Sequence, residues 1–275
     1  MTRPPDLIDR AALNAHRTRA RRDALFLHEI TMIEVQERLK EVNRTFTAPA
    51  VVTPFPDIWQ SALPGMKIVP DTEILGLEPG AHDLVIHGLC LHWANDPVGQ
   101  LVQCRRALRP DGLLIAATFG GRTLHELRAS LAQAEARITG GLSPRVLPMG
   151  EIRDLGAVLQ RTGLALPVAD GFTRTVSYET PLHLMRDLRA MGESNALTQR
   201  NRTPARRALF AAMAQIYTAA HASADGRVRA TFEMIFLTGW APDSSQPRPL
   251  RPGSATARLA DALGANEYDL NGPQD

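Results

Sequence analysis

The side chains of this sequence that could do chemistry gather in one short stretch, DLVIHGLCLHWANDP, at residues 83–97. His87 lies inside its apolar run, and His92 and Trp93 follow that run. A histidine titrates near neutral pH and can accept a proton, whereas an indole can shelter a sulfonium or stack on an aromatic substrate. Because a polar group in an apolar run is usually a hydrogen-bonded core residue, we favour packing for His87 and Trp93. The role of His92 stays open.

The elements around this stretch predict a parallel sheet. DLVIHGLCL is apolar and too short for a typical helix, which favours a strand covered on both faces. Asn95 or Asp96 can cap a helix that starts at Pro97. RPDG then predicts a turn, and LLIAATF predicts another buried strand. A strand, a helix and a strand form a right-handed crossover, so both strands should be parallel and central in an α/β sheet that binds ligands at its carboxyl edge.

The second half of the chain continues with helices and strands. Thr123 and Glu126 have the spacing of a capping box, which predicts that they open a helix. Apolar periodicity predicts three later helices, in MGEIRDLGAVLQRTG, PLHLMRDLRAMG and TPARRALFAAMAQIYTAAH. It predicts three strands, in LALPVAD, TRTVSY and VRATFEMIFLTGW. The tail after Pro242 is proline-rich, with a weak helical pattern in SATARLADALG.

Composition excludes several classes of protein. The 275 residues are 44% hydrophobic and carry a formal net charge of only +2, unlike a dedicated nucleic-acid binder. Cys90 and Cys104 lack the spacing of a zinc site, so we expect no metal and a reducing compartment. The amino terminus lacks a signal-peptide core, and no run approaches about eighteen apolar residues, which predicts a cytoplasmic protein without a transmembrane segment.

Motifs outside the central stretch carry little chemistry. The basic run HRTRARR, from His16 to Arg22, favours a solvated helix face over a surface for phosphates or an acidic partner. The sequence has no G-x-S-x-G elbow, Walker loop or H-E-x-x-H motif. The residues by themselves therefore identify no catalytic group, and we expect no nucleic-acid partner.

The order of the central segments resembles a known family. DLVIHGLCLHWANDP, a short helix and LRPDGLLIAATFGG resemble the second half of class I S-adenosylmethionine-dependent methyltransferases, in which a strand ends in Leu-(His/Gln)-Trp and L-x-PDG precedes the next strand. A narrower match over roughly residues 7–258 resembles the branch that contains the mitochondrial respiratory complex I assembly factor, an arginine hydroxylase of methyltransferase fold. Its segments are LIDRAALNAHRTRARR, FGGRTLHELRASL, GGLSPRVLPMGEIRDLGAVLQRTG, LMRDLRAMGESNA, DGRVRATFEMIFLTGWA and SQPRPLRPGSA.

This resemblance implies a fold and a cofactor. The fold is an α/β, Rossmann-like class I methyltransferase sheet with a terminal antiparallel strand, near residues 229–239, and helical additions. The cofactor is S-adenosyl-L-methionine, with Asp71 at the adenine amino group and the strand end at the methionine part. A turn or helix-cap aspartate is an equally good interpretation of Asp71. The cofactor-binding candidates are Asp71, His87, Gly88, Leu89, His92 and Trp93.

The first half of the chain departs from that family. Class I methyltransferases place a Gly-rich turn after their first strand, because glycines let the backbone approach the ligand. Here APAVVTPFPDIWQSALPG puts prolines and Phe55 at those positions. The segment from there to Asp83 is also shorter than the family's, and the part that is missing includes the second strand with its ribose-binding acid. Two of the usual cofactor anchors are thus lost.

The resemblance also implies a domain organisation. A basic N-terminal helical extension covers residues 1–45, and a methyltransferase-like domain covers 46–242, with a helical insertion at about 180–222. A proline-rich C-terminal tail covers 243–275. The segments GESN and GGLSP, which cover the carboxyl edge of the sheet in this branch, are either ordinary loops or substrate-recognition segments.

The implied function is that of a methyltransferase-family protein that acts on or assembles respiratory complex I (NADH:quinone oxidoreductase). Its partner would be a protein substrate or client such as an iron–sulfur subunit, and either methyl transfer or hydroxylation would be its activity. A non-catalytic binding protein, which kept the fold and lost the cofactor motif, is the alternative. A basic-helix module that contacts RNA ranks third, because the basic run lacks interleaved aromatic residues.

Overall fold

The strands in the described part of this protein form one sheet. The computed structural model describes residues 5–60, 62–63 and 65–247. The strands are β1 Pro49–Val52, β2 Lys67–Val69, β3 His82–His87, β4 Leu108–Phe119, β5 Ala165–Tyr178 and β6 Val228–Trp240. The helices are α1 Arg10–Arg17, α2 Phe26–Val42, α3 Pro56–Trp59, α4 Pro97–Ala107, α5 His125–Thr139, α6 Ile152–Arg161, α7 Pro181–Ala190 and α8 Arg207–His221.

The sheet has the strand order β2-β1-β3-β4-β6-β5. Neighbouring strands from β2 to β4 are parallel, whereas β6 runs antiparallel to both β4 and β5. The parallel, central pair within residues 83–119 and the late antiparallel strand near 229–239 are therefore confirmed. β2 pairs directly with β1, so no strand lies between them. This direct pairing agrees with the shortened segment ahead of Asp83.

The apolar runs of the central strands are covered on both faces. Alternate residues such as Ile86 join a core that includes residues of α2, α5 and α8. Their neighbours, such as Val85, join a second core with residues of α4 and α6. Because side chains alternate between the two faces of a strand, continuous burial requires the continuous apolar run seen in the sequence.

The crossover helix α4 begins as the sequence predicts. The Asp96 side chain accepts a hydrogen bond from the Gly99 amide at 2.8 Å, and Pro97 occupies the first turn. Asn95 has a different role, since its Oδ1 accepts from the Ile8 amide at 2.8 Å. Asp96 is thus the cap, and Asn95 attaches the N-terminal segment to the sheet.

Two local predictions were wrong, and a third was right in the type of element but not in its extent. RPDG is not a separate turn, because β4 already begins at Leu108 and the register with β3 shifts between His82 and Leu84. LALPVAD and TRTVSY are strand as predicted, but they belong to one continuous strand, β5, whose pairing with β6 extends over nearly its whole length. Thr123 and Glu126 form no capping box, since the Thr123 hydroxyl donates to the Glu233 carbonyl and Glu126 accepts from Thr231 on β6. Hydrogen-bond partners on β6 thus take the place of the backbone partners that a capping box would have within the helix.

The N-terminal segment packs on the same unit as the sheet. Residues up to Pro242 form one compact unit, and a second unit starts at Asp243. Ile8 forms an antiparallel bridge with Leu197, and the Asp9 amide donates to the Ala196 carbonyl at 2.8 Å. The predicted domain limits at 45 and 242 stay predictions. The weak helix in SATARLADALG lies outside the described residues.

Candidate functional site

The carboxyl ends of β1 and β3 meet at one edge of the sheet, since the two strands are parallel neighbours. The turn into α3 follows β1, and a short 3-10 turn, Leu91–Trp93, follows β3. His87, Gly88, Leu89, His92 and Trp93 all lie in or after β3, so the structure brings these candidates to the edge where ligands bind in such sheets.

Asp71 follows β2 and is bound by arginines of α1. The Arg17 Nη1 donates to both carboxylate oxygens, at 2.9 and 2.8 Å, and Arg10 Nη1 donates to Oδ2 at 3.3 Å. The Arg17 and Asp71 side chains are only 7% and 8% exposed. The solvated-face prediction for the basic run is therefore wrong for Arg17, which turns inward and neutralises a buried carboxylate.

An aromatic side chain covers the end of β3. A Cβ built on Gly88 would lie only 2.9 to 3.0 Å from atoms of the Trp59 indole, so the ring rests directly on the glycine backbone. Trp59 is fully buried, and Phe55 in the preceding turn is buried with its ring 4.7 Å from that of His28. The segment that replaces the glycine turn thus fills this part of the edge with its own aromatic residues.

His87 is a hydrogen-bonded core residue. Its Nε2 lies 3.1 Å from the Gln100 side-chain oxygen, and its Nδ1 lies 3.5 Å from the Cys90 sulfur. Burial lowers the pKa of His87 to about 4, so the ring is neutral at physiological pH. Leu89 follows with a positive φ of 52° and a fully buried side chain.

His92 and Trp93 share one carboxylate partner. The Trp93 indole N–H donates to Glu193 Oε2 at 2.7 Å, and His92 Nε2 lies 3.3 Å from the same oxygen. Burial alone would raise the pKa of Glu193, but the hydrogen bond from His92 and the charges of His92 and Arg17 hold it down at about 2. Trp93 packs as predicted, and the open role of His92 becomes that of a partner for an ionised glutamate.

Glu193 belongs to the GESN segment, whose residues the sequence could not assign individually. Asn195 of the same segment donates to the Pro144 carbonyl of GGLSP at 2.8 Å. The two segments therefore meet, although about fifty residues separate them. Turn-forming composition was their only signal in the sequence, and it gives no information on such a contact.

An apolar cavity lies beside this group. Its volume is about 240 Å³, and polar side chains, among them Arg145, Arg189 and Asn195, also line it. The apolar lining consists of Trp93, Phe119, Leu124, Leu127, Leu131, Val146, Leu147, Met149, Met185, Leu188, Met191, Phe210 and Phe232. No local pattern in the sequence indicates this cavity, because its walls come from segments far apart in the chain.

The edge does not fit S-adenosyl-L-methionine. Both oxygens of Asp71 already accept hydrogen bonds from Arg17, and the Trp59 ring lies on the Gly88 backbone. The helix after β1 has only four residues and starts at Pro56, which has no N–H to offer a ligand. Within the described part of the chain, no group of three or more His, Cys, Asp or Glu side chains could hold a metal ion.

Sheet order and edge chemistry together define a Rossmann-like scaffold of the class I methyltransferase type, with its cofactor edge filled. The family model that describes a methyltransferase domain matches residues 23–116. The match to this family model thus covers about a third of the chain, from α2 to β4.

Its relatives include the protein named arginine-hydroxylase NDUFAF5, mitochondrial. The zebrafish (Danio rerio) protein is 39% identical over 201 residues, which cover 73% of this chain and 62% of the relative. The human protein is 36% identical over 220 residues, covering 80% and 64%. The malonyl-[acyl-carrier protein] O-methyltransferase of Xylella fastidiosa is 36% identical over 177 residues, covering 64% and 58%. The chain spans less than two thirds of the length of each of these relatives, and it resembles the arginine-hydroxylase branch.

Among solved structures, a Burkholderia thailandensis didemethyltoxoflavin N1-methyltransferase is 11% identical, with a TM-score of 0.46. The matched region covers 88% of this chain and 94% of the chain of that enzyme. No helix among the described residues has the length and apolar character needed to span a membrane. A cytoplasmic location stays a prediction, and the two hydroxylase relatives are named as mitochondrial proteins.

Proposed function

We propose that this methyltransferase-family protein is a non-catalytic assembly factor that binds a client of respiratory complex I. The client would be a protein such as an iron–sulfur subunit. One observation carries the non-catalytic part of the proposal: Arg17 occupies both oxygens of Asp71, the carboxylate that corresponds to the adenine-binding acid of the family.

Physical chemistry supports a permanently filled edge. A nucleoside at Asp71 would have to share a buried carboxylate that Arg17 and Arg10 already bind, and losing the Arg17 partner in the process would cost about 3–5 kcal/mol. It would also have to displace the fully buried Trp59 ring from Gly88. A ligand can shift such an equilibrium only by its differential affinity for the open form, so a cofactor would lose most of its binding free energy to this rearrangement.

The complex I part of the proposal is supported by the resemblance to the arginine-hydroxylase branch. GESN, GGLSP and the late strand DGRVRATFEMIFLTGWA keep the pattern of that branch outside the altered edge. A scaffold that has lost only its cofactor edge can still present its remaining surface to a partner, because function resides in sites rather than in the fold.

A second candidate function is cofactor-dependent methyl transfer or hydroxylation. The presence of a carboxylate at Asp71 favours it, since an ionised carboxylate can accept the adenine N–H. Titration calorimetry of the full chain with S-adenosylmethionine and S-adenosylhomocysteine separates the two candidates. The filled edge predicts no saturable heat and no rise in the thermal midpoint at millimolar ligand. Saturable binding that Asp71→Ala weakens by roughly tenfold or more would establish the second candidate instead.

The assembly role has its own test. Cells that lack the chain should contain less assembled complex I, and the wild-type chain should restore it and co-purify with the client. The double variant Arg17→Met/Asp71→Leu, which keeps the edge filled with apolar groups, should restore it equally well. A failure of this variant to restore assembly, although it is folded and expressed, would contradict a non-catalytic role.

A further inference from the structure

The apolar cavity of about 240 Å³ opens into a groove of opposite character. Arg145, Arg189, Ser194 and Asn195 line both the cavity and the groove, so the two spaces are continuous at these residues. The groove is lined by six arginines and by no Asp or Glu side chain; the arginines are Arg19, Arg21, Arg145, Arg186, Arg189 and Arg200.

Half of these arginines are neutralised and half are not. Arg21, Arg145 and Arg200 form ion pairs with Asp23, Glu135 and Asp9. In the described part of the chain, no carboxylate lies within ion-pair distance of the other three, which are Arg19, Arg186 and Arg189. An uncompensated cluster of guanidinium groups attracts carboxylates and phosphates, which it can bind in bidentate fashion.

The electrostatic effect of this groove is visible at His16, which also lines it. Burial lowers the pKa of His16 below its usual value, and the positive charges of Arg19, Arg200 and Arg189 lower it further. The positive potential therefore extends across the groove from α1 to α7, and it opposes any further positive charge there.

We propose that cavity and groove together bind an anionic amphiphile, with an acyl chain in the cavity and a carboxylate or phosphate head among Arg19, Arg186 and Arg189. Each methylene group that enters the cavity leaves water, which favours binding. The methionines of the lining, Met149, Met185 and Met191, can adapt to a flexible chain. This inference goes beyond the proposed function, because it needs neither a client nor a cofactor.

The walls of the cavity favour a hydrocarbon chain over a peptide. A peptide backbone would bring N–H and C=O groups that need partners when they leave water. The lining is predominantly aliphatic and aromatic, and its polar residues are Thr123, Arg145, Arg189, Glu193, Ser194 and Asn195, three of which are consecutive in the chain. An acyl chain needs no partners along its length and requires polar groups only at its head.

The first experiment is titration calorimetry of the full chain with five ligands, each below the concentration at which it forms micelles. Decanoate and decyl phosphate should bind saturably, and the tighter of the two identifies the preferred head. Decanol should bind several-fold more weakly, and acetate and inorganic phosphate should not bind. The proposal is overturned if neither anionic amphiphile binds, if decanol binds as tightly as decanoate, or if inorganic phosphate binds as tightly as decyl phosphate.

Variants locate the ligand. Arg186→Ala/Arg189→Ala should weaken decanoate binding by about fivefold, the size expected for two solvent-exposed ion pairs, and should leave decanol binding unchanged. The control Arg153→Ala/Arg161→Ala removes two equally exposed charges from α6 and should have no effect. Val146→Phe places a larger side chain in the cavity wall and should weaken all three amphiphiles. Equal losses in the two arginine pairs would overturn the proposal.

A second cavity variant keeps the test valid if the first variant is destabilised. If Val146→Phe lowers the thermal midpoint, Met185→Phe, on α7, makes the same test from another wall. Unchanged decanoate affinity in a folded cavity variant would overturn the proposal. Binding of an acidic, apolar peptide in the absence of decanoate binding would do so too, in favour of a peptide groove.

Discussion

The buried pair of Arg17 and Asp71 can be tested by removing one charge. In Asp71→Asn the Arg17 guanidinium stays buried, with its Nε and Nη2 already lacking hydrogen-bond partners among the described residues. Breaking a buried pair by removing one partner costs about 3–5 kcal/mol. For a domain of this size, that loss corresponds to a fall of roughly 10 °C in the thermal midpoint.

A matched control has the same geometry at the surface. Arg38 Nη1 donates to both oxygens of Asp170 at 3.0 and 2.8 Å, but the Asp170 side chain is 46% exposed. Asp170→Asn should therefore cost less than about 1 kcal/mol. Urea unfolding of both variants, measured at neutral pH by circular dichroism, gives the comparison directly.

The double variant Arg17→Met/Asp71→Leu completes the test. Apolar replacement of a whole buried pair is often neutral or stabilising, so this variant should recover most of the loss seen in Asp71→Asn. If Asp71→Asn and Asp170→Asn destabilise the protein equally, or if the double variant is less stable than Asp71→Asn, the account of a filled and neutralised edge is refuted.

Three further predictions concern buried groups. Burial lowers the pKa of His28 from 6.5 to about 4, so the unfolded chain binds the extra proton first as pH falls, and His28 should contribute a loss of about 3 kcal/mol of stability between pH 6.5 and 4. In pH-dependent urea unfolding, His28→Phe should lack this contribution and keep the similar one of His87, whose pKa is also about 4. Gly88→Ala should lower the free energy of unfolding by about 1–3 kcal/mol, because its methyl group meets the Trp59 ring. The double variant Gly88→Ala/Trp59→Leu should recover part of the lost stability, and calorimetric melting that shows no recovery would contradict the contact. Burial raises the pKa of Cys104 to about 12 and that of Cys90 well above its usual value. A thiol reagent should therefore label neither cysteine in the native chain and both in denaturant, and rapid labelling of the native chain would show that the two thiols are accessible.

The sequence predicts elements well where the signals are local. The crossover within residues 83–119 depends on an apolar run, a cap at Asp96 and a second apolar run, and all three lie within about forty residues. The capping-box pattern at Thr123 failed for a related reason: β6, about a hundred residues away, offers backbone partners to the same side chain. A local pattern cannot reveal a distant competitor.

The sequence predicts where the candidate site lies in the fold, but not which side chains contact one another there. The strand end at His87 and Gly88 could be located from periodicity and family order. The partners of the site residues could not be predicted. Arg17 lies 54 residues before Asp71, and Trp93 lies 100 residues before Glu193. Such pairings depend on the packed fold, and no pattern in a single sequence encodes them.

The bridge between Ile8 and Leu197 has a consequence for synthesis on the ribosome. Ile8 is made before Leu197, and it cannot make this contact until roughly 190 more residues have been added, which takes about 10 to 40 s at ordinary elongation rates. During that interval the apolar side chains of Leu13 and Leu27, both fully buried in the finished fold, lack their final neighbours. Until the later segments have been made, α1 and α2 therefore expose apolar surface to other molecules, and a chaperone that covers these two helices would protect the nascent chain from aggregation.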